Sequence, residues 1–254
     1  MLMPRVIPVL LCRDGGLYKT TRFKEPVYVG DPINAVKIFN EKEVDELVFV
    51  DITATAEKRG PDFARIREIA GECFMPLCYG GGIRSIDDAK RVIECGVEKI
   101  AVNSYAVENP DFVRSAAAEL ASSTIVVSID VKRDFFGKLR VHTHGGRKKT
   151  DWHPVEFAIL MEKMGAGEIL LTSIDRDGTQ MGYDLELIKT VADAVTIPII
   201  ACGGAGEVAD LSRALDSNAS AVAAGSMFVF HGRHRAVLIS FPSQQDLTQV
   251  FTRS

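Results

Sequence analysis

The sequence lacks the features that define several protein classes. No apolar run approaches the ~18 residues of a membrane-spanning helix, and the first apolar stretch, residues 6–11, is too short for a signal peptide. The net charge of −4 gives no broad basic surface for nucleic acid. We therefore expect a cytoplasmic protein that binds neither membranes nor nucleic acids.

Paired metal or redox ligands are also missing. The five cysteines are scattered and none forms a CxxC pair, which excludes a zinc knot and a dithiol motif. His142 and His144 alternate, but no third ligand is evident. We expect no metal, no cofactor, and cysteines that stay as buried thiols in a reducing compartment.

Eight short apolar runs alternate with longer stretches, several of which have helical periodicity. Continuous apolar strands separated by helices indicate a parallel sheet covered on both faces. Eight units in 254 residues favour a closed barrel over an open doubly wound sheet, which would usually show a GxGxxG turn after its first strand. We predict an α/β fold, one (β/α)8 TIM-barrel domain over residues 1–254. The predicted strands are 6–11, 47–51, 77–79, 99–102, 125–129, 169–171, 197–201 and 221–224, and the clearest helices are 33–40, 87–94, 155–164 and 186–194.

The two halves of the chain resemble each other. A shift of 122 residues places 46–48 on 168–170, Pro76 on Pro198, and Ser104 on Ser226. A barrel accommodates such a two-fold half-barrel repeat directly, whereas an open sheet gives no reason for it. Two long connections, 12–30 and 131–153, follow the first and fifth strands, and the second alternates apolar and polar residues as a small hairpin does.

Glycine-rich turns recur at positions related by this repeat. Glycine brings backbone N–H groups close to an anion, and the next helix adds its positive end. Glycine can also serve only to make a tight turn. The repetition of a Gly-Gly turn followed by a serine after the next strand favours phosphate binding at two sites, and hence an elongated ligand with a phosphate at each end. The predicted phosphate-binding residues are Gly81, Gly82, Asn103, Ser104, Asp177, Gly178, Gly203, Gly204, Gly225 and Ser226.

Asp130 closes the fifth predicted strand, at the end where barrel active sites lie. Burial of a carboxylate at the end of an apolar strand costs free energy unless a cation pairs with it or the group has a function. We therefore interpret Asp130 as a catalytic acid or base. A shift of 119 residues places Leu11 on Asp130. A leucine cannot transfer protons, so the symmetric partner is missing.

Four charges, Arg5, Glu46, Lys99 and Glu168, each precede or begin an apolar strand. Single charges at such positions are usually solvated strand ends. Two acids and two bases at equivalent strand starts predict a mutually neutralising gate at the N-terminal mouth.

Three motifs identify a family resemblance that covers nearly the whole chain. They are DELVF with DITA at 45–54, GGGI at 80–83, and GEILLTSIDRDG at 167–178. The sequence resembles the HisF family, the cyclase subunit of imidazole glycerol phosphate synthase. The resemblance implies a heterodimer with a HisH-like glutaminase subunit, whose ammonia passes through the barrel and attacks a bis-phosphate ribonucleotide. It matches the four charges to an ammonia gate, Asp130 to one of two catalytic aspartates, and the glycine-rich turns to the phosphate sites.

Leu11 stands where the family has its other catalytic aspartate. The motifs PVLL, LYKT, GDPIN and FHG resemble a paralogous branch associated with amidation of surface-polysaccharide sugars, where a separate sugar amidotransferase receives the ammonia. Three readings remain open: an ammonia-conducting barrel recruited to sugar amidation, a working histidine-pathway cyclase, and a non-catalytic scaffold for the glutaminase. Leu11 separates the second reading from the others.

Overall fold

Eight parallel strands form a closed barrel in the computed structural model, which describes residues 3–252. Each strand pairs with the next, and the last pairs with the first, with Ala221 opposite Arg5. The predicted fold class is therefore confirmed. The domain limits 1–254 remain a prediction, and residues 1, 2, 253 and 254 lie outside the described range. The barrel strands are β1 (Arg5–Arg13), β2 (Leu47–Asp51), β3 (Leu77–Gly80), β4 (Lys99–Val102), β5 (Ile125–Arg133), β6 (Glu168–Ser173), β7 (Ile199–Cys202) and β8 (Ala221–Ala224).

Helices surround the barrel, and side-chain caps explain where several begin. The Asp31 and Ser85 side chains each accept a hydrogen bond from the backbone N–H of the third residue of their helix, which satisfies an otherwise unpaired N–H group. The four helices predicted from periodicity are all present, with ends within two residues of the expected ones. The helices are α1 (Pro32–Glu41), α2 (Phe63–Glu72), α3 (Ile86–Glu94), α4 (Ser104–Glu108), α5 (Asp111–Leu120), α6 (Pro154–Lys163), α7 (Leu185–Ala192), α8 (Val208–Asp216), α9 (Ser226–Val229) and α10 (Gln244–Phe251), and a 3-10 turn covers Ser122–Thr124.

Two apolar cores hold the fold together. The larger lies between strands and helices, and the smaller fills the barrel interior, where Ile7, Val48, Ala101 and Leu170 meet. Because strand side chains alternate between the two faces, residues two positions away from these also face the interior. All five cysteines are free; four are buried and Cys73 is half-buried, which corrects the expectation that all are buried. In the described part of the chain, no helix is long and apolar enough to cross a membrane.

The two long connections are both antiparallel hairpins over the C-terminal mouth. The hairpin predicted after β5 is present, with Leu139–Thr143 paired to the extended end of β5. The connection after β1 also contains strands, Gly16–Thr21 and Lys24–Gly30, which we had not predicted. We call it the β1 hairpin. A third hairpin follows β8. Its strands, Phe230–His231 and Ala236–Val237, have two residues each.

Strand register confirms the two-fold repeat. Leu11 lies opposite Val50 on β2, and Asp130 lies opposite Thr172 on β6. Val50 and Thr172 are separated by the same 122 residues that relate the halves of the sequence. Leu11 and Asp130 therefore occupy equivalent positions at the mouth of the barrel.

Candidate functional site: two ends of one barrel

The four predicted gate residues form one ion-pair ring at the N-terminal end. Arg5 pairs directly with Glu46 and, through Nη2, lies 2.8 Å from Glu168 Oε1. Lys99 Nζ lies 3.0 Å from Glu46 Oε2 and 3.1 Å from Glu168 Oε2. Each carboxylate therefore contacts both cations, which neutralises four charges in one layer.

This ring closes the end of the barrel interior. Its members sit two positions before Ile7, Val48, Ala101 and Leu170, so their side chains share the interior face. Glu46 is only 3% exposed, and burial of such a carboxylate requires cationic partners. Burial works against the charge of Arg5, but Glu168 and Glu46 raise its pKa overall. The structure thus brings the four charges together at one mouth, and their role as a gate stays a prediction.

Asp130 lies at the other end, where β5 reaches the C-terminal mouth. Its side chain is 8% exposed, and Ser128 Oγ lies 3.4 Å from its Oδ1. Burial raises the pKa of Asp130 to about 7, and the nearby Asp177 charge acts in the same direction. A carboxyl group with this pKa is populated in both protonation states near neutral pH, as a general acid or base requires.

Leu11 occupies the equivalent place on β1. It faces the same side as Ile7, and it is half-buried rather than packed into the core. An apolar side chain here leaves Asp130 without a second titratable group at the symmetric position.

The two Gly-Gly turns have the same geometry. Gly81 and Gly203 have φ of +120° and +87°, and a Cβ at either would lie within 2.7 Å of a carbonyl oxygen at the end of the preceding strand. Those carbonyls belong to Asp51 and Ser173, which are themselves related by the repeat. The glycines therefore have a structural role in close packing of neighbouring loops, whether or not they also bind phosphate.

Gly82 and Gly204 repeat this relationship one residue later. Their φ values are +75° and +121°, and a Cβ would collide with the backbone of Gly60 and Gly182 respectively. Asn103 and Gly225, one residue before the short helices α4 and α9, also share a similar backbone conformation, with φ of −113° and −112° and ψ of −81° and −69°. The backbone contacts at the two predicted anion sites therefore correspond to each other under the repeat.

The two serines differ in their hydrogen bonds. Ser104 Oγ accepts from the His144 backbone N–H at 2.9 Å and donates to Asn103 Oδ1. Ser226 Oγ is buried and, among the described residues, has no hydrogen-bond partner. A buried hydroxyl without a partner is costly, and an anion bound beside Gly204 would satisfy it. The amide of Asn103 donates to the Ser128 and His142 carbonyls, so it also orders the mouth.

Asp177 and Gly178, also predicted to bind phosphate, hold the β1 hairpin over the mouth. The Asp177 carboxylate pairs with Lys19, and its backbone N–H donates to the Ser173 carbonyl at 2.9 Å. A Cβ on Gly178 would lie 2.3 Å from the Thr20 carbonyl, so glycine lets the hairpin approach. Lys19, in the connection after β1, is only 6% exposed and is held by this ion pair.

Several polar side chains around Asp130 carried no clear sequence signal. Thr172 is buried opposite it on β6, and His142 lies opposite it on the β5 hairpin, where His142 Nδ1 is 3.1 Å from the Gly146 carbonyl. Burial lowers the pKa of His142. His144 has a different environment, 3.6 Å from Glu108, and no group of three potential metal ligands occurs within residues 3–252.

This chain matches one family model and is similar to several named proteins along nearly its whole length. A family model described as "histidine biosynthesis protein" matches residues 5–235. A Pseudomonas aeruginosa protein with the provisional name imidazole glycerol phosphate synthase subunit hisF2 is 50% identical over 248 residues, covering 97% of this chain and 99% of that protein. A Leptospira interrogans protein provisionally named as the HisF subunit of the same synthase is 47% identical over 253 residues, covering 99% of this chain and 100% of that protein. A Vibrio vulnificus protein provisionally named subunit hisF3 is 46% identical over 248 residues, covering 97% of this chain and 95% of that protein.

Proposed function

Because this chain belongs to the HisF family of imidazole glycerol phosphate synthase subunits, we propose that it conducts ammonia from a glutaminase partner to a separate amidation reaction. In this proposal the glutaminase subunit docks at the N-terminal face as a heterodimer. Ammonia passes the ion-pair ring and the barrel interior and leaves at the C-terminal mouth. The acceptor reaction is amidation of a surface-polysaccharide sugar by a separate sugar amidotransferase.

The observation that carries this proposal is the contrast between the two ends of the barrel. The four charges at the entrance are complete and make all four possible cation–carboxylate contacts. At the mouth, Asp130 is in place, but its symmetric counterpart is Leu11. A cyclisation that needs one carboxylate as acid and another as base lacks one of its two proton-transfer groups.

The ring has to open for ammonia to enter. Lys99 connects Glu46 with Glu168 through one flexible unbranched stem, while the guanidinium of Arg5 is a rigid fork bonded to both. Displacement of Lys99 leaves both carboxylates paired with Arg5. Lys99 is therefore the member whose movement opens the entrance at the lowest electrostatic cost.

The backbone at the mouth supports the binding of a phosphorylated ligand. The two sets of glycine-rich turns and serines lie on opposite sides of the mouth, after β3–β4 and β7–β8. We propose that a bis-phosphate ligand binds there, and that its binding at the mouth couples the delivery of ammonia to the state of the acceptor reaction. This role fits a subunit that keeps its phosphate loops while lacking one catalytic carboxylate.

Leu11→Asp tests the proposal directly. Given the histidine-pathway bis-phosphate and ammonia, we expect the wild-type chain to turn over far more slowly than Leu11→Asp, because one acid–base group contributes ~10²–10⁴-fold. Leu11→Asn is the matched control, similar in size to aspartate but unable to exchange a proton, and it should stay at the wild-type level. Fast wild-type turnover would instead identify a working histidine-pathway cyclase.

Lys99→Met separates a conducting subunit from an inert scaffold. With the glutaminase bound, we expect this variant to change the ratio of ammonia delivered to glutamine hydrolysed. Lys90→Met, which removes an exposed ion pair with Glu119, is the control. An unchanged ratio in Lys99→Met would favour the scaffold.

A further inference from the structure

Exposed apolar side chains are concentrated at one end of this barrel. Nine large ones are exposed among the described residues, and seven of them lie on loops of the C-terminal face. Apolar surface gathered on one face of a polar protein marks an interaction site. The seven are Val27, Tyr28, Phe135, Phe136, Met181, Val237 and Leu238, at 48–95% exposure.

The loops that carry them flank the mouth on two opposite sides. Val27, Tyr28, Val237 and Leu238 follow β1 and β8, which are neighbours in the barrel. Phe135, Phe136 and Met181 follow β5 and β6, which lie across the barrel from them. A partner that covered both groups would therefore also cover the mouth between them.

Phe135 and Phe136 are the most prominent of these residues. They are 95% and 82% exposed at the tip of the β5 hairpin, and their rings meet edge to face with centroids 5.5 Å apart. Neither ring is buried by the rest of the chain. Aromatic side chains are enriched at the centres of protein interfaces, where a partner removes them from water.

A cavity of about 690 Å³ opens beside this tip, and three arginines and three acidic residues, Asp175, Asp184 and Glu186, line it. The arginines are Arg22, Arg133 and Arg176. Arg133 pairs with Asp184 and Glu186, whereas the side chains of Arg22 and Arg176 donate to the backbone carbonyls of Asp175 and Met181. The guanidinium groups of Arg22 and Arg176 thus have no ion pair within the described residues.

We infer that this face is the docking surface of the enzyme that consumes the ammonia. That enzyme presents carboxylates to Arg22 and Arg176, flanked by apolar side chains that cover Phe135 and Phe136. The inference rests on the proposed function, since it takes the mouth to be the ammonia exit. It adds that ammonia passes directly between two proteins and does not enter bulk water.

The chemistry of ammonia and of the surface both select this occupant. Ammonia released into water at neutral pH is protonated and loses the lone pair with which it attacks an acceptor. A covered exit prevents this, and the mouth itself lacks the second carboxylate for a reaction of its own.

Photo-crosslinking from the two ends of the barrel tests the surface. The probe is p-benzoylphenylalanine placed at Phe136 or, as the matched control, at Phe74, which is 84% exposed before β3 at the opposite end. Each full-length protein is crosslinked in its native cells, and the partners are identified by mass spectrometry. We expect position 136 to capture an enzyme that forms a C–N bond from ammonia, and position 74 to capture the glutaminase but not that enzyme.

The outcomes separate this inference from the proposed function. Capture at position 136 of a second copy, of the glutaminase, or of no protein overturns the docking surface. Loss of the glutaminase crosslink at position 74 counts against the proposed function. In that case the crosslink at position 136 still shows whether the C-terminal face is a docking surface. In a second measurement, Phe135→Ser with Phe136→Ser should lower the yield of aminated product per glutamine hydrolysed by at least tenfold while glutamine hydrolysis is retained. An unchanged yield also overturns the inference.

Discussion

Lys19 Nζ lies 2.8 Å from Oδ1 and 2.9 Å from Oδ2 of Asp177, and both side chains are buried. This pair ties the β1 hairpin to the loop after β6, and the Arg22 backbone N–H reinforces the tie by donating to the Asp177 carbonyl at 2.8 Å. The Lys19 stem also passes over Gly225, where a Cβ would lie 3.0 Å from Lys19 Cε. The contact that closes the mouth is therefore adjacent to the second predicted anion site.

Removing one member of this pair should be strongly destabilising. Asp177→Asn leaves a buried ammonium without a carboxylate, and we expect a loss of about 3–5 kcal/mol in the free energy of unfolding. Lys19→Met combined with Asp177→Leu removes both charges, and we expect this double variant to lose much less free energy of unfolding. Lys90→Met at the exposed pair with Glu119 should be indistinguishable from wild type in denaturant titrations. A single variant as stable as the double variant would show that the pair is not desolvated.

The raised pKa of Asp130 predicts a specific pH dependence of stability. Burial raises this pKa from 3.8 to about 7, so the unfolded chain loses its proton first as pH increases. The native state is consequently destabilised between about pH 4 and pH 7, and the penalty stays constant above that range. Asp130→Asn removes the penalty, and its stability relative to wild type should increase by about 2–3 kcal/mol between pH 5 and pH 8. Glu41→Gln, on an exposed side chain of α1, is the control, and an equal response in both variants would contradict the assignment.

Alanine at the Gly-Gly turns should destabilise the fold without any ligand present. A Cβ at residue 204 would lie 2.2 Å from the Gly182 carbonyl oxygen, at a φ of +121° that L-residues rarely adopt. We expect Gly204→Ala to lower the free energy of unfolding by more than about 1 kcal/mol. Gly71→Ala has open space in α2 and should be neutral or stabilising, by up to ~1 kcal/mol. Equal stability of both variants, measured by urea unfolding, would remove the structural requirement for glycine.

The two serines should respond differently to alanine substitution. Ser226 Oγ has no partner among the described residues, so Ser226→Ala should leave stability unchanged or slightly higher while weakening phosphate binding. Ser104→Ala loses the hydrogen bond from the His144 backbone N–H, and we expect the free energy of unfolding to fall by about 1 kcal/mol. Phosphate titration and denaturant unfolding measure the two effects, and crystals soaked in phosphate should show density near Gly82 and near Gly204. Wild-type phosphate affinity in Ser226→Ala would remove that hydroxyl from the anion site.

Much of this arrangement is encoded locally in the sequence. Apolar runs and helical periodicity predicted all eight barrel strands and four helices, because both patterns reflect which face of a short segment is buried. The internal repeat, with a shift of 119 residues for β1 and 122 for β2, predicted that β1–β2 and β5–β6 would be equivalent, and the register of Leu11 and Asp130 confirms it. The charges at strand starts also had to meet, since the N-terminal ends of parallel strands share one mouth.

Only the tertiary structure decided what these residues contact once they meet. The strands of the β1 hairpin were not predicted, because their pairing is completed by packing onto loops far along the chain. The burial that raises the pKa of Asp130, the choice of Asp177 as the partner of Lys19, and the different environments of Ser104 and Ser226 all depend on side chains distant in sequence. Sequence periodicity determines which face of a strand is apolar, but desolvation and ion pairing depend on the distances between atoms that closure of the barrel brings together.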